Sequence, residues 1–301
     1  MKTIFITGGA TGIGAASVNK FISQGWKYGL CALFGCVASF GFAPFYMFFL
    51  SVIGFGGLYW ILLDNRNVGF WKSLSLTAVF GAMYSISMFW WSLHSIYVVP
   101  ELATRFAIWT IPAIIGLGIF GVIVFGLPLV VFCSVRIKSG ALPFLFAFVW
   151  CLSLWCREWL FTGFPWNPIA NILLPFPMIA NSMSFWGALG TGFVVIGCVA
   201  SVINIIKNKK NFVNWLNVII FFCLLLLGCV FGYLNIQLSQ KQNDSPVVRI
   251  VQPALSQSEK MIKTRAEAIG VANEKIEKLN EMVGDVSNID FIHEFSFLLC
   301  Y

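Results

Sequence analysis

The stretch Cys156-Arg157-Glu158-Trp159-Leu160-Phe161-Thr162-Gly163-Phe164-Pro165-Trp166-Asn167 interrupts a chain that otherwise consists of long apolar runs. It places an adjacent Arg and Glu, two Trp, a Gly and a Pro where an apolar helix ends. Charged side chains at membrane depth are costly and usually functional. This stretch, called below the 156–167 segment, is therefore the first candidate for a functional site.

The composition around this segment is that of a membrane protein. Of the 301 residues, 59% are hydrophobic and 10% are charged, whereas soluble domains average about 25% charged residues. The net charge of +7 comes largely from Lys and Arg in short loops, which indicates orientation in a bilayer rather than nucleic-acid binding. Most of the nine Cys lie in apolar runs, and His94 and His293 are the two His, so we predict no disulfide framework and no metal site.

Seven apolar segments, each near the ~20 residues that a spanning helix needs, predict seven transmembrane helices. They lie at about 28–42, 45–63, 70–92, 106–135, 141–160, 182–206 and 212–236. The first two join through Ala43-Pro44 in a tight hairpin. The fourth contains Pro112 and Pro128, which predict a kink because proline lacks a backbone N–H.

Loop charges predict the orientation of these helices. Every second loop is basic, and together with the residues before the first segment these loops contain Lys20, Lys27, Arg66, Lys72, Arg136, Lys138, Lys207, Lys209 and Lys210. In the alternate loops, Arg105 lies near Glu101 and Arg157 adjoins Glu158. The positive-inside rule then places the N-terminus in the cytoplasm, and the 156–167 segment and everything after about 237 outside.

The two ends of the chain differ from the apolar middle. Residues 238–301 read as a linker, a strand at 247–251, a long polar helix at 257–283 and a strand at 288–292, the βαβ start of an α/β domain. Residues 1–27 read as a strand at 2–7, a glycine-rich turn at 8–14 and a helix at 15–24. They resemble the opening strand, turn and helix of short-chain dehydrogenases, with Thr7, Gly8, Gly12, Ile13 and Gly14 matching T-G-x-x-x-G-I-G. That motif holds a dinucleotide pyrophosphate at a helix N-terminus. The rest of that fold is absent, so we interpret 1–27 as an orphan fragment and expect no cofactor.

The residues alone leave two interpretations of the 156–167 segment open. In the first, it is a helix end, with Trp159 and Trp166 in an interfacial belt and Arg157 and Glu158 snorkelling. In the second, it is a lipid or substrate site. In that case Trp90, Trp91 and His94 would form, together with the segment, an aromatic-walled entry for an acyl chain at the outer leaflet. The long apolar and non-helical loop that contains Asn167, Asn171 and Pro175 to Pro177 would extend this entry.

Three motifs in order resemble bacterial apolipoprotein N-acyltransferases over about 28–294. They are Gly41-Phe-Ala-Pro-Phe45, the run Glu158-Trp-Leu followed by Gly163-Phe-Pro-Trp-Asn167, and Val248-Arg-Ile-Val-Gln-Pro253 followed by Ser256-Gln257 and Lys260. The family's layout, a membrane helical domain followed by an external nitrilase-like α/β domain, also fits. The fold expected is thus all-α membrane, about seven transmembrane helices, followed by an incomplete nitrilase-like βαβ segment. The domains expected are 1–27, 28–237 and 238–301.

The resemblance implies acyl transfer from a phospholipid to the N-terminal cysteine of lipoproteins at the bacterial inner membrane. The family uses a Glu-Lys-Cys triad, in which Cys forms a thioester, Glu is the general base and Lys stabilises the oxyanion. The resemblance also implies that the phospholipid and the lipoprotein are the partners of this protein. It also makes the 156–167 segment a substrate-side support rather than an active site, through Arg157, Glu158, Trp159, Pro165, Trp166 and Asn167. Glu158 is expected to pair with a basic neighbour such as Arg157.

The end of the chain departs from the family pattern. Glu294 matches the family's Glu by position only, because the preceding Trp-Pro is missing, and Met261 stands where a Trp commonly follows the Lys260 loop position. The family's Lys and Cys have no counterpart, and Cys300 is too close to Glu294 to be the nucleophile. The chain is therefore expected to be truncated early in the outer domain and unable to form the acyl-enzyme.

Two alternatives to an acyltransferase remain. One is a non-enzymatic membrane remnant, which is compatible with the family resemblance. The other is a transporter, which fits less well because transporters usually show ionisable residues within spans and internal repeats, and neither is evident here.

Overall fold

A computed structural model describes residues 12–97, 100–160 and 163–240, together with the isolated helical positions 270, 273, 274 and 277. Those four positions fall inside the helix predicted at 257–283. The strands predicted at 247–251 and 288–292, and the strand and most of the turn predicted before residue 12, lie outside the described residues.

The described chain is helical, as long apolar runs require when all backbone polar groups must be satisfied within the segment. The helices are α1 Gly12–Ser39, α2 Phe48–Asp64, α3 Phe70–Phe89, α4 Pro100–Phe106, α5 Thr110–Gly121, α6 Leu127–Ser134, α7 Leu142–Arg157, α8 Pro177–Ala180, α9 Met183–Lys207 and α10 Phe212–Gln240. The helix predicted at 15–24 does not end there, because α1 continues through the predicted boundary at 27 to Ser39.

Five stretches within the described residues are long and apolar enough to cross a membrane: Phe70–His94, Ala103–Ser134, Ser139–Arg157, Met183–Lys207 and Phe212–Leu238. The apolar helix Phe48–Asp64 is shorter, at 17 residues. A multi-pass helical membrane protein is thereby confirmed at the level of architecture. The predicted count of seven spans stays a prediction.

The fourth predicted segment is interrupted near one of its two prolines. Pro112 lies in the first turn of α5, where proline is tolerated because the missing N–H has no partner in any case. Before Pro128, residues Val122–Gly126 form a π-helical turn that separates α5 from α6. The irregularity predicted for this segment therefore occurs next to Pro128.

The chain divides into two compact units, residues 1–92 with 111–237, and residues 93–110 with 238–301. In the first unit, α3 packs against α1 and against the π-helical turn, and α7 packs against α9. Its core is aromatic, with Phe55 4.6 Å from Trp150 and Tyr84 5.0 Å from Phe125, measured between ring centroids. In the second unit, the Tyr97 and Thr110 hydroxyls lie 2.6 Å apart.

Side-chain contacts define two ends of the first unit. At the end we call the basic end, Lys27 donates to Asn65 Oδ1 at 3.1 Å, Arg66 donates to the carbonyl of Val135, and Lys207 pairs with Asp64. At the opposite end, which we call the hairpin end, the α1–α2 hairpin meets the chain after α7. There Phe48 packs edge-on against Phe176 at 5.1 Å.

The polar residues inside the basic end are joined by hydrogen bonds. The Tyr59 hydroxyl donates to Asn204 Oδ1 at 2.9 Å, and the Asn217 amide donates to the Gly140 carbonyl at 2.6 Å. The Asn214 amide donates to the backbone carbonyl of Asn204 at 3.1 Å. This network ties α2, α9, α10 and the 135–141 loop together.

The variant Asn204→Ala is expected to lower the free energy of unfolding by about 1–2 kcal/mol, because it leaves the buried Tyr59 hydroxyl without its acceptor. Titration with sodium dodecyl sulfate in mixed micelles measures this difference. Asn208→Ala is the matched control, since Asn208 is exposed and its side chain is expected to contribute little. Equal effects of the two substitutions would contradict the network's role.

Candidate functional site

The 156–167 segment begins as the last turn of α7 and then leaves the helix. Trp159 N–H donates to the Cys156 carbonyl and Phe164 N–H to the Arg157 carbonyl, both at 3.1 Å. Gly163 has φ +90°, and a Cβ there would lie 2.6 Å from the Glu158 carbonyl oxygen. Only glycine adopts this turn without strain, so the sequence requires Gly163 to bring Phe164 back over the end of α7. Phe161 and Thr162 lie outside the described residues.

Arg157 is buried inside the bundle at the end of α7. Its side chain is 1% exposed, and its guanidinium carbon lies 5.8 Å from the centroid of the Phe125 ring, a cation–π contact. Within the described part of the chain, Nε and Nη1 have no hydrogen-bond partner. A charged group buried in this way is costly unless it is paired. Arg157 is therefore the least satisfied buried charge of the site.

The expected ion pair between Arg157 and Glu158 is wrong. No salt bridge joins them: Arg157 is buried, whereas Glu158 is exposed. The physical reason is that consecutive residues of a helix do not face each other. Snorkelling of Arg157 is also excluded by its burial.

Phe125, the ring next to the guanidinium, belongs to a group of three fully buried aromatic rings. Phe125 stacks on Trp150 at 5.2 Å, and Tyr84 lies 5.5 Å from Trp150. The Trp150 Nε1 is another buried donor with no partner in the described chain. This group of three buried rings was not predicted from the sequence. Its signal was the spacing of seven residues, two turns, between Trp150 and Arg157, which places both on one face of α7.

A second aromatic cluster joins the segment to α3 and α5. Phe164 lies 5.1 Å from Phe89 and 5.9 Å from Phe120. Trp166 lies 5.3 Å from Trp91 and stacks on Phe164 at 6.1 Å. Trp91, one of the residues named in the lipid-site interpretation, therefore contacts the segment.

The other predicted support residues face outward. Trp159 is 72% exposed and contacts Trp155 at 6.2 Å, while Pro165 is also exposed. Asn167 is half-buried, with φ +50°. The exposure of Trp159 is that expected of an interfacial aromatic residue. Arg157 and Phe164 pack into the bundle instead, and Trp166, although 52% exposed, contacts Trp91.

The hairpin motif 41–45 packs close to the same aromatic core. Phe42 is buried and lies edge-on 6.3 Å from Tyr84. Gly41 approaches the chain after the 156–167 segment so closely that a Cβ would meet Ile172 Cγ2 at 3.1 Å. The 41–45 motif thus contacts Tyr84, which also lies against Trp150 of α7, and approaches Ile172, which follows the 156–167 segment.

Other predicted site residues lie in the neighbouring loops. Asn171 lies in a short 3₁₀ helix, Ile169–Leu173, and Pro175 to Pro177 are exposed. His94 is exposed in the 3₁₀ helix Trp90–Tyr97. Glu294, Cys300 and the 248–260 motif lie outside the described residues. No group of three or more His, Cys, Asp or Glu that could hold a metal occurs in the part of the chain that the structure describes.

The fold and this site define a multi-pass helical membrane protein with a buried arginine over an aromatic core at one end of its bundle. Residues 34–201 match the apolipoprotein N-acyltransferase N-terminal domain, a range that contains both the 41–45 motif and the 156–167 segment. The chain belongs to the apolipoprotein N-acyltransferase family.

Curated relatives with that name include proteins of Rhizobium rhizogenes, Rhizobium etli and Rickettsia typhi. The first is 29% identical over 251 residues, 79% of this chain and 46% of the relative. The second is 30% identical over 254 residues, with the same two coverages. The third is 26% identical over 235 residues, 77% of this chain and 45% of the relative. The chain thus spans about half the length of the curated relatives it matches.

The resemblance of residues 1–27 to short-chain dehydrogenases is not borne out. The family match begins at residue 34, and the relatives above carry the acyltransferase name. In addition, α1 runs from Gly12 straight into the matched region.

Proposed function

We propose that residues 28–237 are the seven-helix membrane domain of an apolipoprotein N-acyltransferase, which transfers an acyl group from a phospholipid to the N-terminal cysteine of lipoproteins. The observation that carries this proposal is the family match over 34–201. It is supported by the packing of the 41–45 motif and of α7 against the same Tyr84 ring.

The proposed topology places the basic end in the cytoplasm and the hairpin end at the outer face of the inner membrane. The support is the charge distribution: Lys27, Arg66 and Lys207 are in contact with neighbouring loops at the basic end. By the positive-inside rule this end stays in the cytoplasm. The N-terminus is then cytoplasmic, and residues 238–301 are periplasmic.

Reporter fusions test this topology. Green fluorescent protein fused after residues 67, 138 or 209 is expected to fluoresce, because these loops face the cytoplasm. Alkaline phosphatase is expected to be active after residues 44, 168 or 240. The reverse pattern at any pair of neighbouring loops would contradict the proposed count of seven spans.

Within this topology, the 156–167 segment supports the substrate side of the reaction. Phe164 contacts Phe89 of α3 and Phe120 of α5. Trp166 contacts Trp91, and Arg157 contacts Phe125 of the π-helical turn, while Trp159 and Pro165 are exposed. Residues 238–301 are proposed to begin the external nitrilase-like domain. Glu294 is the positional candidate for its general base.

A chimera tests the proposed function. Residues 28–237, joined to the external domain and final helix of the Rhizobium etli relative, are expected to restore growth of a strain depleted of its own N-acyltransferase. The control is the same chimera with the nucleophilic Cys of the external domain replaced by Ser. If a well-expressed and membrane-inserted chimera fails, the non-enzymatic alternative gains support.

A further inference from the structure

An apolar groove runs along the first unit between α1, α2, α9 and α10. Its volume is about 870 Å³, and all of its lining residues are apolar, among them Phe34, Val52, Gly56, Val199 and Ile203. Binding sites for small ligands have volumes of about 300–1,000 Å³. The groove is therefore large enough for a ligand, but it offers that ligand no polar contact along its length.

The groove is open to the surface of the bundle. Two of its lining side chains, Ile53 and Phe222, are 52% and 45% exposed. It extends from Phe176 and Ile179, at the hairpin end, to Trp60 near the basic end. In a membrane-spanning bundle, such a surface faces hydrocarbon. An acyl chain lying along the membrane normal fits its direction and its chemistry.

A lysine stands at the basic end of the groove. Lys207 Nζ lies 4.6 Å from the centroid of the Trp60 ring, donates to the Trp60 carbonyl at 3.4 Å and pairs with Asp64. An ammonium group has three N–H donors. Two have acceptors within the described residues, which leaves the third for an oxygen of a bound molecule. The Lys207 side chain is 21% exposed, so it is accessible there.

The surrounding charge favours an anionic headgroup. Among the described residues, eight cationic side chains lie in or beside the loops of the basic end, against one carboxylate, that of Asp64: Lys27, Arg66, Lys72, Arg136, Lys138, Lys207, Lys209 and Lys210. Basic pockets between membrane helices bind phospholipid headgroups, and each nearby Lys or Arg favours an anionic lipid.

We propose that this groove binds an acyl chain of an anionic glycerophospholipid whose phosphate accepts a hydrogen bond from Lys207. The phosphate position lies at the end of the bundle opposite the 156–167 segment, and the acyl chain extends along the groove toward the hairpin end. The groove does not include any residue of the 156–167 segment, so the proposal does not depend on the proposed function.

Photo-crosslinking tests the site on the purified 301-residue chain in detergent micelles. The probe is phosphatidylglycerol with a diazirine in one acyl chain, and phosphatidylcholine with the same chain is the neutral comparison. Phosphatidylglycerol is expected to crosslink to α2 and α9 around residues 52–57 and 195–203. Lys207→Gln is expected to lower the preference for phosphatidylglycerol about fivefold, the effect of one lysine near an anionic lipid. Lys209→Gln, in the adjoining loop, is the control and is expected to change it less.

A second variant fills the groove. Gly56 and Val199 both line the groove, and a Cβ at residue 56 would meet Val199 Cγ1 at 3.4 Å, an ordinary contact. The ring in Gly56→Phe is therefore expected to occupy part of the groove. Crosslinking at 195–203 is expected to fall to background. Gly116→Phe is the control because a Cβ there has no neighbour within 4 Å. Equal crosslinking of both lipids to the wild-type chain, labels spread evenly over all helices, or a second copy of the chain crosslinked at the groove would each overturn the proposal.

Discussion

Replacing Arg157 with methionine is expected to raise the free energy of unfolding by about 1–3 kcal/mol. The Arg157 side chain is 1% exposed, and its Nε and Nη1 find no acceptor in the described structure. Methionine has a similar length and keeps the apolar contact with Phe125, but it buries no charge and leaves no unpaired donor. The measurement is unfolding by sodium dodecyl sulfate of the 301-residue chain in mixed micelles.

The same substitution is expected to abolish growth rescue by the chimera. Locally unfavourable groups are retained mainly where function needs them, and a guanidinium is the side chain best suited to bind a phosphate or carboxylate through two hydrogen bonds. Arg157→Lys keeps the charge but not the planar donor pair, so partial rescue is expected.

Arg136→Met is the control for both measurements, because Arg136 is exposed at the basic end. Full rescue by a well-expressed Arg157→Met chimera would show that Arg157 is not needed on the substrate side. A loss of more than about 2 kcal/mol of stability would show that its donors are paired in the folded protein.

The sequence was sufficient to locate the long helices because a helix that spans a membrane needs about 20 apolar residues in a row. Each of the seven apolar segments coincides with a described helical stretch, and the limits agree to within a few residues for α3, α7, α9 and α10. The irregularity in the fourth segment followed from Pro128. The end of the first helical stretch at 24 was wrong because no proline or polar run stops α1 before Ser39.

The sequence did not show which face of each helix is buried. In a soluble helix, the alternation of polar and apolar residues marks the inner face, whereas a membrane helix is apolar all round. Arg157 was therefore assigned to the interface with Glu158, although it lies over Phe125. The groove was missed for the same reason: Val52, Gly56 and Val199 look no different from residues that pack.

Aromatic residues next to helix ends were more informative. The approach of Trp91 to Trp166 was predictable because both follow apolar segments that end on the same side of the membrane. Tyr84 and Trp150 lie deep within their segments, and nothing in the sequence distinguishes them from the many other aromatic residues. Only the folded bundle brings the two rings to 5.5 Å from each other and against Phe125, the ring that lies next to Arg157.

Gly121→Ala is expected to cost about 2–4 kcal/mol of unfolding free energy and to reduce the yield of folded protein. A Cβ at this position would lie 2.5 Å from Ser85 Cβ and would also overlap the Gly81 carbonyl oxygen of α3. The reverse contact is equally tight, since a Cβ at Gly81 would lie 2.5 Å from the Gly121 carbonyl oxygen. Small residues let membrane helices approach this closely. One methyl group therefore requires α3 and α5 to separate.

Gly116→Ala supplies the matched control within the same helix. A Cβ at residue 116 meets nothing within 4 Å, so the higher helix propensity of alanine is expected to leave stability unchanged or raise it by up to about 1 kcal/mol. Thermal unfolding in detergent compares the two variants directly, and equal effects would contradict the tight crossing.

Separation of α3 from α5 at Gly121 also has a consequence for the site. Phe120, the preceding residue, lies 6.2 Å from Phe89 of α3 and 5.9 Å from Phe164. Moving α5 away from α3 pulls the Phe120 ring out of this cluster and removes the support of the 156–167 segment. In the chimera, Gly121→Ala is therefore expected to lose rescue even at a temperature where the protein remains folded. Rescue equal to that of Gly116→Ala under those conditions would show that the aromatic cluster stabilises the bundle without positioning the segment.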